Sequence, residues 1–317
     1  MARATPAPVW PDGSVPVALG ISGALGIDGR TALELARQAR AAGVAAVLAT
    51  EVSSVDAVAL SAALAAVAPD VVTGTGVVPL GTRSVPALAM GAWTAATVSA
   101  VPYLLGVGVS TRQIVGGWHG AAYDPSVSTT RARLRELREV LGKTRRGSFA
   151  LPAAGQADVR VLLGAMGPRM VELGLTEADG VIVNHTPPAH LPGPVPGRTV
   201  MAYCWVLAAP DGDLRARRDV VSYMMAEPYA RHFARLGFGE VVAEARALHA
   251  AGRLREAPAR LPDELVHALF VTPEGLPRRL AELRAAGAVP VLMPVTGARP
   301  AEEMSELLTR LPAMSLR

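Results

Sequence analysis

The residues of this chain best suited to chemistry are small ones. The run Gly164–Met170, GAMGPRM, follows directly on the apolar run Val159–Leu163. Gly164, Ala165 and Gly167 let a backbone come close to a ligand. Pro168 suits the first position of a helix, where a missing N–H costs nothing. The unpaired N–H groups of a first helical turn attract anions, so strand, small-residue loop and helix start read together as a phosphate seat. A tight turn with no ligand is the competing reading, because short glycine loops are common.

Acid–base candidates are few. Glu51 follows the strand-like run Val44–Thr50 and could hydrogen-bond a ligand or exchange a proton; the ordinary alternative is an acid that caps a turn. His119 stands in Trp118-His119-Gly120, where a packed loop histidine is the alternative. Asn184 and His185 close a short strand and read as turn caps before they read as ligands. The six histidines show no metal-ligand spacing, so no metal is expected. There is no GxSxG elbow, and the single cysteine, Cys204, lies inside an apolar strand. Neither a serine nor a cysteine nucleophile is indicated.

The elements that must position these residues alternate along the chain. Strands are expected at 15–22, 44–50, 71–78, 103–109, 159–163, 180–183, 200–207 and 289–293. Helices are expected at 31–42, 55–68, 85–98, 129–141 and from Pro168. The apolar runs lack polar alternation, as parallel strands buried on both faces do. Eight such repeats predict an α/β fold of the (β/α)8 TIM-barrel type, with a doubly wound open sheet as the runner-up. The segment 184–198 holds five prolines where the sixth helix belongs, so that helix is expected to be short or absent. A helical insertion is expected over 213–257, between strands seven and eight, and a linker over 142–158. No boundary divides residues 1–317, so one domain is expected. In such a barrel ligands meet the C-terminal strand ends, which selects Thr50, Glu51, Gly76, the Gly106-Val107-Gly108 turn, Ser110, the glycine loop and Asn184.

Composition excludes several classes. Hydrophobic residues make up 50% and charged residues 18% of the 317, which fits a globular chain rather than a disordered one. The net charge is only +4, carried largely by arginines scattered over helices such as 131–138, and aromatics are 4%. No basic stripe interleaved with aromatics appears, so a nucleic-acid partner is not expected. One cysteine permits no internal disulfide, which fits a reducing cytoplasm. The N-terminal run lacks the continuous apolar core of a signal peptide, and apolar stretches such as 57–68 are interrupted within membrane-spanning length. No membrane association is expected.

Four blocks carry a wider likeness: GTGVVPLGTRSVPALAM (Gly74–Met90), GVGVSTRQIVGGWHG (Gly106–Gly120), VLLGAMGPRMVELGLTEADGVIVN (Val161–Asn184) and YARHFARLGFGEVV (Tyr229–Val242). In this order, and over nearly the whole chain, they resemble the luciferase-like flavin family. The nearest likeness is to its branch using the deazaflavin coenzyme F-420, which includes methylene-tetrahydromethanopterin reductase. The resemblance implies a TIM barrel, usually a homodimer, with the deazaflavin across the strand ends. It implies a non-prolyl cis peptide at Gly76–Val77 backing the coenzyme ring. It places the coenzyme phosphate at Ala165, Met166 and Gly167, the strand-four turn at Val107 and Gly108 with Ser110 nearby, and Thr50 and Glu51 beside coenzyme and substrate.

Two departures stand out. Many relatives carry an ELSGGR-like segment where this chain has Thr97–Pro102, so an arginine is lost. The glucose-6-phosphate dehydrogenase branch carries an acid where this chain has Val109, which points away from that activity. Three functions follow as expectations. The first is an F-420-dependent oxidoreductase passing a hydride to a small-molecule substrate such as an imine or alkene, with Glu51 or His119 supplying a proton. The second is an FMN-dependent monooxygenase on the same barrel. The third is a coenzyme-free barrel with a binding or non-redox role, motivated by the altered segments 97–102 and 184–198.

Overall fold

The computed structural model describes residues 16–152 and 157–314. Its chain order is β1 (Ala18–Ser22), α1 (Gly29–Ala41), β2 (Ala46–Thr50), α2 (Ala57–Val67), β3 (Val72–Pro79), α3 (Val85–Thr97), β4 (Tyr103–Gly108) and α4 (Val127–Leu141). Then come β5 (Val159–Gly164), α5 (Pro168–Glu177), β6 (Gly180–Val183), β7 (Thr199–Leu207), α6 (Gly212–Met224), α7 (Glu227–Phe233) and α8 (Gly239–Ala250). The chain continues with α9 (Asp263–Leu269), β8 (Phe270–Val271), α10 (Leu276–Ala285), β9 (Val289–Val295) and α11 (Pro300–Arg310).

Every named strand pairing is parallel. The strands run β6-β5-β4-β3-β2-β1-β9-β7, and a further β6–β7 pairing closes the ring into an eight-stranded barrel. Closure is what periodicity could not supply, and it decides against the open sheet. The strands are apolar on both faces because both faces are buried. Leu48, Leu104, Leu162, Ile182, Met201 and Val291 fill the interior. Leu19, Val47, Leu105, Leu163 and Val181 lie under the helices. Each fully buried side chain of this size contributes about 1.5–3 kcal/mol. The helices begin where short polar residues cap them: Asp28 accepts from the Thr31 N–H at 2.8 Å, Ser84 from Ala87 at 3.3 Å and Ser126 from Thr129 at 3.2 Å.

The strand and helix boundaries agree with the sequence reading within a few residues. Val15, and residues 153–156 of the linker, lie outside the described residues. The β6–β7 connection holds only a short 3-10 turn, Pro188–His190, so the sixth helix is absent as the prolines indicated. The insertion after β7 is helical but broken into α6–α9 with a π-turn at Ala234–Phe238, and it reaches further than residue 257. It leads into β8, a two-residue strand the sequence did not announce. β8 pairs with Trp205 and Val206, and β9 occupies the other edge of β7 along Met201–Leu207. β8 therefore continues the edge that β6 leaves at Ala202. No helix among the described residues is long and apolar enough to cross a membrane.

Candidate functional site at the C-terminal rim of the barrel

All eight barrel strands end on one rim, and the expected site residues lie there. In β3 the register against β4 slips between Thr75 and Val78, which makes a bulge of Gly76 and Val77. The Gly76–Val77 peptide is cis, as the resemblance implied. Its carbonyl oxygen, Gly76 O, accepts from Thr50 Oγ1 at 2.9 Å and from the Tyr203 hydroxyl. On the other side the Val77 side chain lies over Gly108 and Gly164. A Cβ added at those glycines would come within 2.9 and 3.2 Å of it. Gly76, Val77, Thr50 and Gly108 are thereby brought together. Val107 is buried, one residue below.

Glu51 sits at the end of β2 and is 7% exposed. Its carboxylate takes two hydrogen bonds from Arg83, at 2.6 and 2.7 Å, and a third from the Ala57 N–H at 3.0 Å. Arg83 also donates to Asp56 at 2.6 Å, and Asp56 caps α2 through the Val58 and Ala59 N–H groups. Burial works against the Asp56 charge, but the Ala59 N–H and Arg83 outweigh it and hold that carboxyl below its usual range. The geometry thus gives Glu51 a structural task, joining the end of β2 to the starts of α2 and α3. Arg83 escaped the sequence reading. The signal was an arginine in Thr-Arg-Ser just ahead of a helix that otherwise carries no charge.

The loop after β4 holds Ser110, in the left-handed region at φ 58°, and a π-turn over Gln113–Trp118. Such turns cluster at functional sites. His119 follows it and is exposed, its N–H donating to Ile114 O at 3.0 Å. Among the described residues no hydrogen bond, ion pair or ring contact joins the His119 side chain to the rest of the rim.

The GAMGP loop enters α5 through Gly167, an N-cap with no side chain to satisfy the first turn. The Ala165 N–H already donates to Ile182 O at 3.0 Å, so Met166 and Gly167 carry the remaining loop donors. The Arg235 guanidinium lies 3.8 Å from where a Gly167 Cβ would stand, and 3.5 Å from Met166 O. Arg235 has no carboxylate partner among the described residues. A cavity of about 510 Å³ opens beside this loop, between Met166, Val171, Leu175, Val183, His232 and Arg235. Thr186, His190 and Pro192 of the β6–β7 connection line it as well. Arg235 also escaped the sequence reading, although it stands in the YARHFARLGFGEVV block.

Across the rim, Asn184 Oδ1 accepts from Trp205 Nε1 and the His185 N–H, both at 2.8 Å, and its Nδ2 donates to the Tyr229 hydroxyl at 3.3 Å. His185, at φ 47°, turns its ring inward, stacked on Trp205 at 5.1 Å and met by Tyr223, Tyr229, Phe233 and Phe270. Among the described residues neither of its ring nitrogens has a hydrogen-bond partner. Burial pushes its pKa down to about 3, helped by nearby His232. His185 is therefore a neutral plug holding the insertion to the barrel. Cys204 is buried, and burial pushes its thiol up to about 12. Among the described residues no group of His, Cys, Asp and Glu is placed to hold a metal ion.

A closed parallel β/α barrel with a bulged strand and an anion-ready loop on one rim defines a barrel enzyme whose ligands sit at the strand ends. The chain belongs to the luciferase-like monooxygenase family, whose family model matches residues 9–192. A protein of Mycobacterium tuberculosis, provisionally named a coenzyme F-420-dependent oxidoreductase, is 28% identical over 283 residues, covering 74% of this chain and 81% of that protein. The F-420-dependent tetrahydromethanopterin reductase of Methanopyrus kandleri superposes with a TM-score of 0.71 at 16% identity, over 95% of this chain and all of that one. A long-chain alkane monooxygenase superposes at 0.62 with 11% identity, over 95% and 91% of the two chains. The fold is shared by deazaflavin enzymes and monooxygenases alike.

Proposed function

We propose that the chain is a coenzyme F-420-dependent oxidoreductase, passing a hydride between the deazaflavin and a small organic substrate in the direction of reduction. The observation that carries the reading is the pairing of an uncapped α5 N-terminus with Arg235, which has no carboxylate partner among the described residues, on the same rim as the Gly76–Val77 bulge. A ligand with a planar ring and an anionic tail meets both features. The name of the mycobacterial relative supports the deazaflavin over other such ligands. The bound coenzyme supplies the two-electron chemistry.

The chain's own residues supply position. Met166 and Gly167 N–H groups with Arg235 hold the anion. The apolar slot along Val171 and Leu175 shields the tail side. Thr50, Gly76, Val77 and Gly108 form the surface under the ring, with Ala165 and Ser110 shaping its edges. Glu51 holds the β2 end through Arg83, which leaves the exposed His119 as the candidate to exchange a proton with substrate. Two further parts of the reading are a homodimer joined through α2 and α3, and a cytoplasmic location, supported by the lone unpaired Cys204.

An FMN-dependent monooxygenase is the second reading, favoured by the family's name and by the monooxygenase superposition. Titrating the purified protein with F-420 and with FMN separates the two. Tight F-420 binding with much weaker FMN binding is expected; equal affinities, or FMN preferred, overturn the reading. Binding of neither returns the coenzyme-free barrel. Gly167→Asp sharpens the test, because residue 167 has φ −83° and open space for a side chain. Aspartate is a good N-cap, so the variant should fold at least as well as wild type while its carboxylate repels the phosphate. Unchanged coenzyme affinity would place the anion elsewhere.

A further inference from the structure

We infer that Tyr203 is a positioning residue for the coenzyme ring: with Thr50 it fixes the Gly76 carbonyl, and through it the Gly76–Val77 surface on which the ring lies. The inference rests on the reading of this rim as a coenzyme site. In an eight-stranded ring β7 stands opposite β3, four strands away in either direction. Side chains alternate along a strand, so Met201 and Tyr203 both point inward. Met201 fills the interior and Tyr203 packs against that cluster from the layer above. The phenol thus crosses the mouth of the barrel, and its hydroxyl ends on the opposite wall.

A carbonyl oxygen has two lone pairs, and Gly76 O uses them for Tyr203 from β7 and Thr50 from β2. The fit leaves no slack. A Cβ on residue 76 would come within 2.8 Å of the Tyr203 hydroxyl and 3.2 Å of Leu48. Val77, next along, is seated over Gly108 of β4 and Gly164 of β5. One peptide unit is therefore held by four other strands. A surface so fixed is set before any ligand arrives, which is what preorganisation of a binding site requires. Tyr203 is half-buried and Thr50 likewise, so both face the mouth rather than the packed interior. Burial raises the phenol above its ordinary range, so the hydroxyl keeps its proton and remains a donor throughout the working pH range.

The hydroxyl has no such duty if it serves only the fold. Wild type, Tyr203→Phe, Thr50→Val and the double variant are compared by F-420 fluorescence titration and by thermal unfolding. Tyr203→Phe should weaken F-420 binding about tenfold, the loss of one hydrogen bond's worth of positioning, while the unfolding temperature stays within a few degrees. The two single variants share one acceptor, so the double variant should depart from additivity. A folded Tyr203→Phe protein with wild-type affinity and only a lowered unfolding temperature overturns the inference and leaves the coenzyme reading intact. A wild type that binds neither F-420 nor FMN overturns both. Should Tyr203→Phe fail to fold, Thr50→Val reads the same carbonyl from the other side, with the same two outcomes.

Discussion

The helix pairs α2–α3 and α4–α5 coat neighbouring parts of one barrel on opposite terms. The 11 residues of α2 and 13 of α3 include no Asp, Glu, Lys or Arg, and Met90 is 59% exposed. The outer face of α4 carries Arg131 and Arg135, both paired with Glu177 at the end of α5, while Arg138 reaches Asp179. A helix meant for water shows a polar outer face; one apolar all round is meant to be covered. A two-fold interface sets the same patch against itself, and a patch without charge meets no like charge across the axis. The contrast marks α4–α5 as a solvent face and supports the proposal that α2–α3 is covered by a second copy of the chain. The charges nearest α2–α3 are drawn to its ends, where Glu51, Asp56 and Arg83 satisfy one another.

Four measurements break or sharpen that contrast. Arg83→Met strikes the buried charges at the head of the apolar pair. It strands Glu51 without its partner and should cost about 3–5 kcal/mol of unfolding free energy in denaturant titration. A loss under 1 kcal/mol would mean that the cluster does not anchor α2–α3.

Next, Ala63→Glu with Met90→Glu puts carboxylates on the outer faces of α2 and α3. Sedimentation should show a wild-type dimer and a variant whose association is at least about a hundredfold weaker, roughly 2.7 kcal/mol. A monomeric wild type, or a variant that still dimerises, assigns the apolar face to another task.

The third measurement adds the rim, where charge is avoided by keeping a histidine neutral. His185 has a folded pKa of about 3 against an ordinary 6.5, so the unfolded chain binds more protons in between. Its stabilisation is complete above about pH 6.5 and is lost as pH falls toward 3, at up to about 1.4 kcal/mol per pH unit. His232, also lowered by burial, adds in the same direction. His185→Asn tolerates the left-handed backbone and should flatten the acid limb of the stability curve. An unchanged limb would assign it to other groups.

The smallest effect is expected on the charged pair. Glu177→Gln loses pairs whose arginines are 43% and 63% exposed and should cost at most about 1 kcal/mol. A larger loss would make the α4–α5 lattice structural rather than merely soluble.

The barrel was legible because its causes are local. Apolar runs, capping Asp and Ser residues, and five prolines in place of a helix are each visible within about fifteen residues. The glycine loop was legible for the same reason, whereas the Gly76–Val77 peptide came from the likeness of the block Gly74–Met90 to its family. What stayed hidden depends on closure. Tyr203 reads as one more aromatic in an apolar strand until the ring closes and sets it opposite Gly76. Arg83 becomes the partner of Glu51 only when the ends of β2 and β3 lie side by side. Glu51 itself was readable as a rim acid or as a turn cap, and only the positions of Arg83 and the Ala57 N–H show what holds it. Arg235, 68 residues beyond Gly167, shows no sequence sign that the insertion returns to the α5 N-terminus.

The His185 plug has a spectroscopic consequence. Its imidazole lies parallel to the Trp205 indole, with an interplanar angle of 1°, and meets four other aromatic rings. Ring currents from such surroundings displace its carbon-bound proton signals far from those of an exposed histidine. With six histidines in the chain, one outlying imidazole signal is easy to resolve in a proton spectrum. That signal reports whether α6–α9 is docked on the barrel. It can be followed through a coenzyme titration or a temperature ramp without any introduced label.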